Sequence, residues 1–170
     1  MVELIKQDFF KNQSKYKKIE EDLKNILGEK TKINHVGSTA IPDMVGKNII
    51  DILISAVDKS EFLKFSKILE GKGYFKSERS ATDNYNFFAS KKEETKSGDV
   101  HIHLSIVNTD RHDEFLLLKE YLLKNPKVAK EYAKHKQEIL NKFGLDRARY
   151  RQIKSEYVEN LILKSKKESR

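Results

Sequence analysis

Asp51 interrupts the aliphatic run Ile49-Ile50-Asp51-Ile52-Leu53-Ile54. A carboxylate among aliphatic residues costs free energy unless it is hydrogen-bonded, paired or bound to a metal. The near-continuous run reads as a strand covered on both faces, over Ile49 to Val57. Just upstream, a short strand over Lys32 to Val36 ends in Gly37-Ser38. A Gly-Ser turn offers backbone N–H groups and a hydroxyl, a common arrangement for holding an anion. Pro42 and Gly46 mark the turn between the two strands, and Lys47 leads into the second. Lys47 reads equally as a phosphate contact and as a surface lysine. Turn and carboxylate together point to a site for a phosphorylated ligand.

A second polar cluster lies further on. Asp99, His101 and His103 alternate with Val100, Ile102 and Leu104 over a strand Asp99 to Val107. Strand periodicity puts the first three on one face and the apolar residues on the other, toward a core. Two imidazoles and a carboxylate have metal-ligand character. They suit phosphate binding or acid–base work as well, because histidine titrates near neutrality. The exposed polar face of an edge strand is the competing reading.

The string HVGSTAIP followed by GKNIIDILI, with His101-Ile102-His103 later, resembles the GrpB family, a branch of the nucleotidyltransferase superfamily. The resemblance runs from about His35 to Lys154, and Tyr150 with Lys154 matches a Tyr-x-x-x-Lys near its end. It implies an α+β fold: a nucleotidyltransferase-like mixed β-sheet with flanking helices and a helical C-terminal part. It implies nucleotide or phosphate-ester binding and metal-dependent nucleotidyl transfer to an acceptor, with a catalytically inactive ligand-binding or folding-accessory module as the alternative. On this reading Asp51, His101 and His103 are the catalytic candidates and the ligands of a divalent metal (Mg, Mn or Zn). Gly37, Ser38, Lys47 and Lys154 are the ligand-binding candidates. Two positions depart from the family. An Arg-Asp pair in the helix after the sheet is here Lys119-Glu120, which loses the bidentate fork of arginine. Two-metal transfer wants a second carboxylate two residues after Asp51, where this chain has Leu53.

Composition narrows the rest. The 170 residues suit one domain: a helix over 1–30, a sheet core over 31–108 and C-terminal helices over 110–165. The chain has no cysteine, which excludes a disulfide framework and cysteine-based chemistry. The start, MVELIKQDFFKNQ, is too polar for a secretory leader, and no segment has the length of a membrane span. No membrane partner and a cytoplasmic setting are expected.

Net charge is +8, and the last 24 residues hold 8 basic against 3 acidic groups. That helix is a candidate surface for nucleic acid, or simply a solvated face. Between the strands, Glu61 to Leu69 reads as an amphipathic helix, Tyr74 to Lys76 as a short strand and Asn84 to Ser90 as a strand joined to the His-x-His strand by KKEETKSG. After the sheet, helices are expected over Glu114 to Lys124, from Pro126 to Gly144, and from Arg147 to about Lys164. Arg111 and His112 read as surface residues, and Tyr132, Tyr150 and Tyr157 as packing residues.

Overall fold

The structure is a computed structural model, described here for residues 4–90, 99–143 and 146–168. Its centre is a five-stranded mixed sheet. The strands are β2 (Lys32–Val36), β4 (Ile50–Ala56), β5 (Phe75–Lys76), β6 (Tyr85–Ala89) and β7 (Val100–Ile106), in the order β2-β4-β7-β6-β5. Only β4 and β7 run parallel; the other pairs are antiparallel. β1 (Ile5–Lys6) and β3 (Val45–Gly46) form a separate two-stranded ribbon.

The parallel pair needs a crossover, and α2 (Lys59–Gly71) supplies part of it. Asp58 caps α2 by accepting from the Glu61 N–H at 2.8 Å. α1 (Phe9–Leu27) is capped in the same way by Asp8, and Gly28 ends it with its N–H bonded to the Lys24 carbonyl. Tyr16, Leu23 and Leu27 of α1 and Phe62, Phe65 and Leu69 of α2 pack on one face of the sheet, against Ile33, Ile50, Ile52, Ile54, Ile102, Leu104 and Phe88. Strand alternation therefore turns Asp51, Leu53 and Ser55 of β4 to the other face, with His101, His103 and Ser105 of β7 as their register partners.

That second face meets α3 (Asp110–Lys124), which touches β2, β4 and β7. α4 (Pro126–Phe143) and α5 (Arg147–Glu168) pack with it. Pro126 opens α4, where a missing N–H costs nothing. Tyr121, Leu122, Ala129, Tyr132, Ala133 and Leu161 join Ile41 and Met44 of the β2–β4 connection in a second apolar cluster. Among the described residues no helix is long and apolar enough to cross a membrane.

Most expected elements lie within one to four residues of their observed bounds. α3 starts earlier than expected, at Asp110 after Thr109, because two aspartates suit the positive end of a helix in its first turn. The connecting segment KKEETKSG and the stop at Gly144 lie outside the described residues.

Ile102 is fully buried in β7, between β4 and β6. Ile102→Ala is expected to cost about 2–5 kcal/mol in urea unfolding, as a cavity in an unyielding layer does. Val57→Ala, at a 62 % exposed position, is expected to stay within about 0.5 kcal/mol.

Candidate functional site

Asp51 opens β4, and its carboxylate is covered on both sides. Gly37 backs directly onto it: a Cβ there would come within 2.8 Å of Asp51 Cβ and 2.9 Å of Asp51 Cγ. Gly37 also has φ +73°, a conformation that side chains rarely adopt. This glycine therefore admits the carboxylate, beyond shaping a turn. On the other side, His101 Nδ1 lies 3.2 Å from Asp51 Oδ1 and His103 Nε2 lies 3.7 Å from the same oxygen. The parallel register sets this up, pairing Asp51 with His101 and Leu53 with His103.

Burial alone would push the Asp51 carboxyl up. The imidazoles of His101 and His103 outweigh it and hold the carboxyl well below the usual range. Burial also lowers His103, against the pull of Asp51. At neutral pH the site thus pairs an ionised carboxylate with a neutral His103. An ionised carboxylate only accepts, so His101 Nδ1 carries the proton it shares with Asp51. His101 Nε2 is buried and has no hydrogen-bond partner among the described residues. His103 Nδ1 meets the Tyr85 hydroxyl at 2.8 Å, so the hydroxyl donates to it when Nε2–H faces Asp51. The Arg111 guanidinium lies 5.2 Å from the ring centres of both Tyr85 and Phe115.

Cations approach from the C-terminal helices. Lys136 of α4 is only 2 % exposed. Its Nζ donates to Ser38 Oγ at 2.9 Å and to the Val45 carbonyl, and stands 4.7 Å from the Tyr132 ring centre. Burial, then repulsion from Lys154, bring the Lys136 ammonium down to about 7, against the pull of Asp51. Lys154 of α5 is also lowered by burial, while Asp51 raises it and Arg111 lowers it. Lys119 is half-buried and lowered by burial. His35 stacks on Tyr16 with ring centres 4.7 Å apart, and burial followed by the Lys119 charge lowers it to about 4. Among the described residues, Lys136 and Lys154 both feel the Asp51 charge.

The expected residues separate into three groups. Asp51, His101, His103 and Gly37 meet directly, and Ser38 and Lys154 join through Lys136 and through charge. Lys47 is exposed on the approach to β4. Asp99 leaves the histidine face: it precedes β7, and its carboxylate accepts from Ser90 Oγ at 3.1 Å.

Asp51, His101 and His103 are the expected metal ligands. Among the described residues no three or more His, Asp and Glu are grouped for a metal ion. His101, and at longer range His103, address one Asp51 oxygen. Paired Mg²⁺ ions fit still less, because they want several oxygen ligands. Leu53 is fully buried at the second-carboxylate position, and Asp99 is turned away.

One residue read as surface is not. His112 is buried, with Nε2 2.9 Å from Ser55 Oγ and Nδ1 2.8 Å from Asp113, and so ties the first turn of α3 to β4. Lys136 was legible in principle: it falls on the apolar stripe of Ala129, Tyr132, Ala133 and Ile139, where a solvated lysine does not belong.

The GrpB family model, described as GrpB protein, matches residues 4–164. The chain belongs to the GrpB family. It is 32% identical over 143 residues to the glutamate-rich protein GrpB of Alkalihalophilus pseudofirmus, covering 82% of each chain. It is 30% identical to the UPF0157 protein YqkA of Bacillus subtilis, where the match spans 82% of this chain and 40% of that protein. Among solved structures, the crystal structure of GrpB from Enterococcus faecalis superposes with a TM-score of 0.82 at 20% identity, over 98% of this chain and 99% of that one. A crystal structure of the Cid1 poly(U) polymerase with MgGTP bound superposes with a TM-score of 0.52 at 14% identity, over 82% of this chain and 45% of that one. The likeness establishes the nucleotidyltransferase-like α+β fold of this family member.

Lys136 makes stability depend on pH. The unfolded lysine holds its proton up to its ordinary value of 10.5, the folded one only to about 7. Between those values unfolding takes up a proton, so stability rises with pH, by at most about 1.4 kcal/mol per pH unit from this group. Urea unfolding between about pH 7.5 and 9.5 is expected to show that rise in wild type, and Lys136→Met to flatten it.

Proposed function

We propose that this GrpB-family protein binds a nucleotide or another phosphate ester at the Gly37-Ser38 turn, which Lys136 of α4 reaches. The observation that carries the reading is Lys136, buried in α4 and hydrogen-bonded to Ser38 Oγ of the Gly37-Ser38 turn. Burying an ammonium is unfavourable, and a bound anion offsets the penalty. Lys136 already donates to the hydroxyl of the Gly37-Ser38 turn, so a phosphate on that turn meets an ammonium, a hydroxyl and backbone N–H groups at once.

Nucleotidyl transfer to an acceptor is the reaction this fold would carry, with Asp51, His101 and His103 as the reacting groups. In that reaction His101, hydrogen-bonded to Asp51, would be the proton acceptor. The other reading is a ligand-binding module without turnover. The missing second carboxylate at Leu53 favours it, and release of pyrophosphate from a nucleoside triphosphate separates the two.

Isothermal titration with tripolyphosphate and with ATP tests the binding site. Both are expected to bind wild type. Lys136→Met is expected to weaken both by about 10- to 100-fold, the equivalent of about 1.5–3 kcal/mol for a hydrogen bond to a charged group. Lys136→Arg should retain most of the affinity. Equal binding by wild type and Lys136→Met would remove Lys136 as the anion site.

A further inference from the structure

Nucleotide sites of this fold are built around carboxylates that hold divalent cations, and the cations bridge to the phosphates. The residues present here depart from that arrangement in a consistent direction. Asp51 has one oxygen engaged by His101 and His103, and its carboxyl group lies against Gly37. The alternate strand position is Leu53, fully buried. Asp99, the expected second carboxylate, is held by Ser90 just after β6. Among the described residues no three or more His, Asp and Glu are grouped for a metal ion, and Asp51 is already engaged.

Positive charge stands at the same turn. Lys136 reaches the Gly-Ser turn from α4, fixed by two hydrogen bonds and buried beside Tyr132. Lys154 approaches from α5 close enough for the two ammonium groups to feel each other and Asp51. Fixed ammonium groups on the phosphate turn can supply the charge neutralisation that bound cations supply elsewhere.

We infer that the site takes its phosphorylated ligand as the metal-free anion, with Lys136 and Lys154 in the charge-balancing place of divalent cations and Asp51 serving to orient His101 and His103. The inference rests on the phosphate-ester reading and narrows it: the ligand is the free polyphosphate rather than its magnesium complex. The magnesium complex carries less negative charge and brings a hydrated cation toward two lysines, so magnesium competes with the protein for the ligand.

Titration of ATP into the full chain, once in EDTA and once in excess magnesium, tests this directly, with tripolyphosphate as a second probe. ATP is expected to bind in EDTA and to bind at least about 3-fold more weakly with magnesium, since the cation screens the charge that the lysines read. Asp51→Asn is expected to bind ATP in EDTA at least as well as wild type, because the substitution removes a negative charge. Binding that needs magnesium, or that tightens about 10-fold with it and loses that gain in Asp51→Asn, overturns the inference and leaves the phosphate-ester reading standing. Loss of EDTA binding in a folded Asp51→Asn overturns it as well. Absence of binding by either probe under both conditions takes the phosphate-ester reading away and this inference with it. If Asp51→Asn does not fold, as far-UV circular dichroism would show, the wild-type comparison decides alone.

Discussion

The hydrogen bond between Asp51 and His101 is the constraint around which the second face of the sheet is built. It exists because β4 and β7 run parallel and in register, Asp51 opposite His101. It requires a residue without a side chain at the end of β2, and Gly37 is that residue. It is tolerated in a half-buried setting because the His101 ring nitrogen satisfies the carboxylate. The opposite face, where Ile50, Ile52, Ile54, Ile102 and Leu104 meet α1 and α2, supplies the apolar burial that fixes the register.

From that carboxylate, two routes lead to the surface. One passes through His103 and the Tyr85 hydroxyl toward Arg111 at the start of α3. The other passes through charge to Lys154 and Lys136, and from Lys136 to Ser38 and the Val45 carbonyl. The second route makes the C-terminal helices part of the site. α4 and α5 pack as a bundle through Tyr132, Ala133 and Leu161, and Lys136 of α4 reaches back to the turn after β2. On the proposed anion-binding reading, binding and helix docking are linked: an anion held by Lys136 also stabilises the helix that carries it.

The sequence made some of this plain for definite reasons. A lone carboxylate in an aliphatic strand and alternating histidines in another are patterns of period two, and each was readable without knowing its neighbour. The pairing of the two strands was not, because register between segments fifty residues apart is a tertiary property. For the same reason Asp99 looked equivalent to His101, although the strand begins only after it. Lys136 was overlooked because lysine in a lysine-rich helix reads as solvated, and only its place on the apolar stripe argued otherwise. His112 was misread because its partner, Ser55, comes from a distant strand. Leu53 spoke clearly from the outset: a leucine cannot ligate a cation, and the structure places it fully buried.

The account stands on Asp51 as the acceptor of a hydrogen bond from His101, with His103 beside the same oxygen. The most direct measurement is the tautomer of His101, read from the ¹⁵N chemical shifts of its ring at about pH 8, where histidine is ordinarily neutral, with and without added Mg²⁺ or Zn²⁺. The account predicts a protonated Nδ1, a bare Nε2 and shifts that do not respond to either cation. A bare Nδ1 with a protonated Nε2, or ring shifts that move on adding the cation and revert with EDTA, would contradict it.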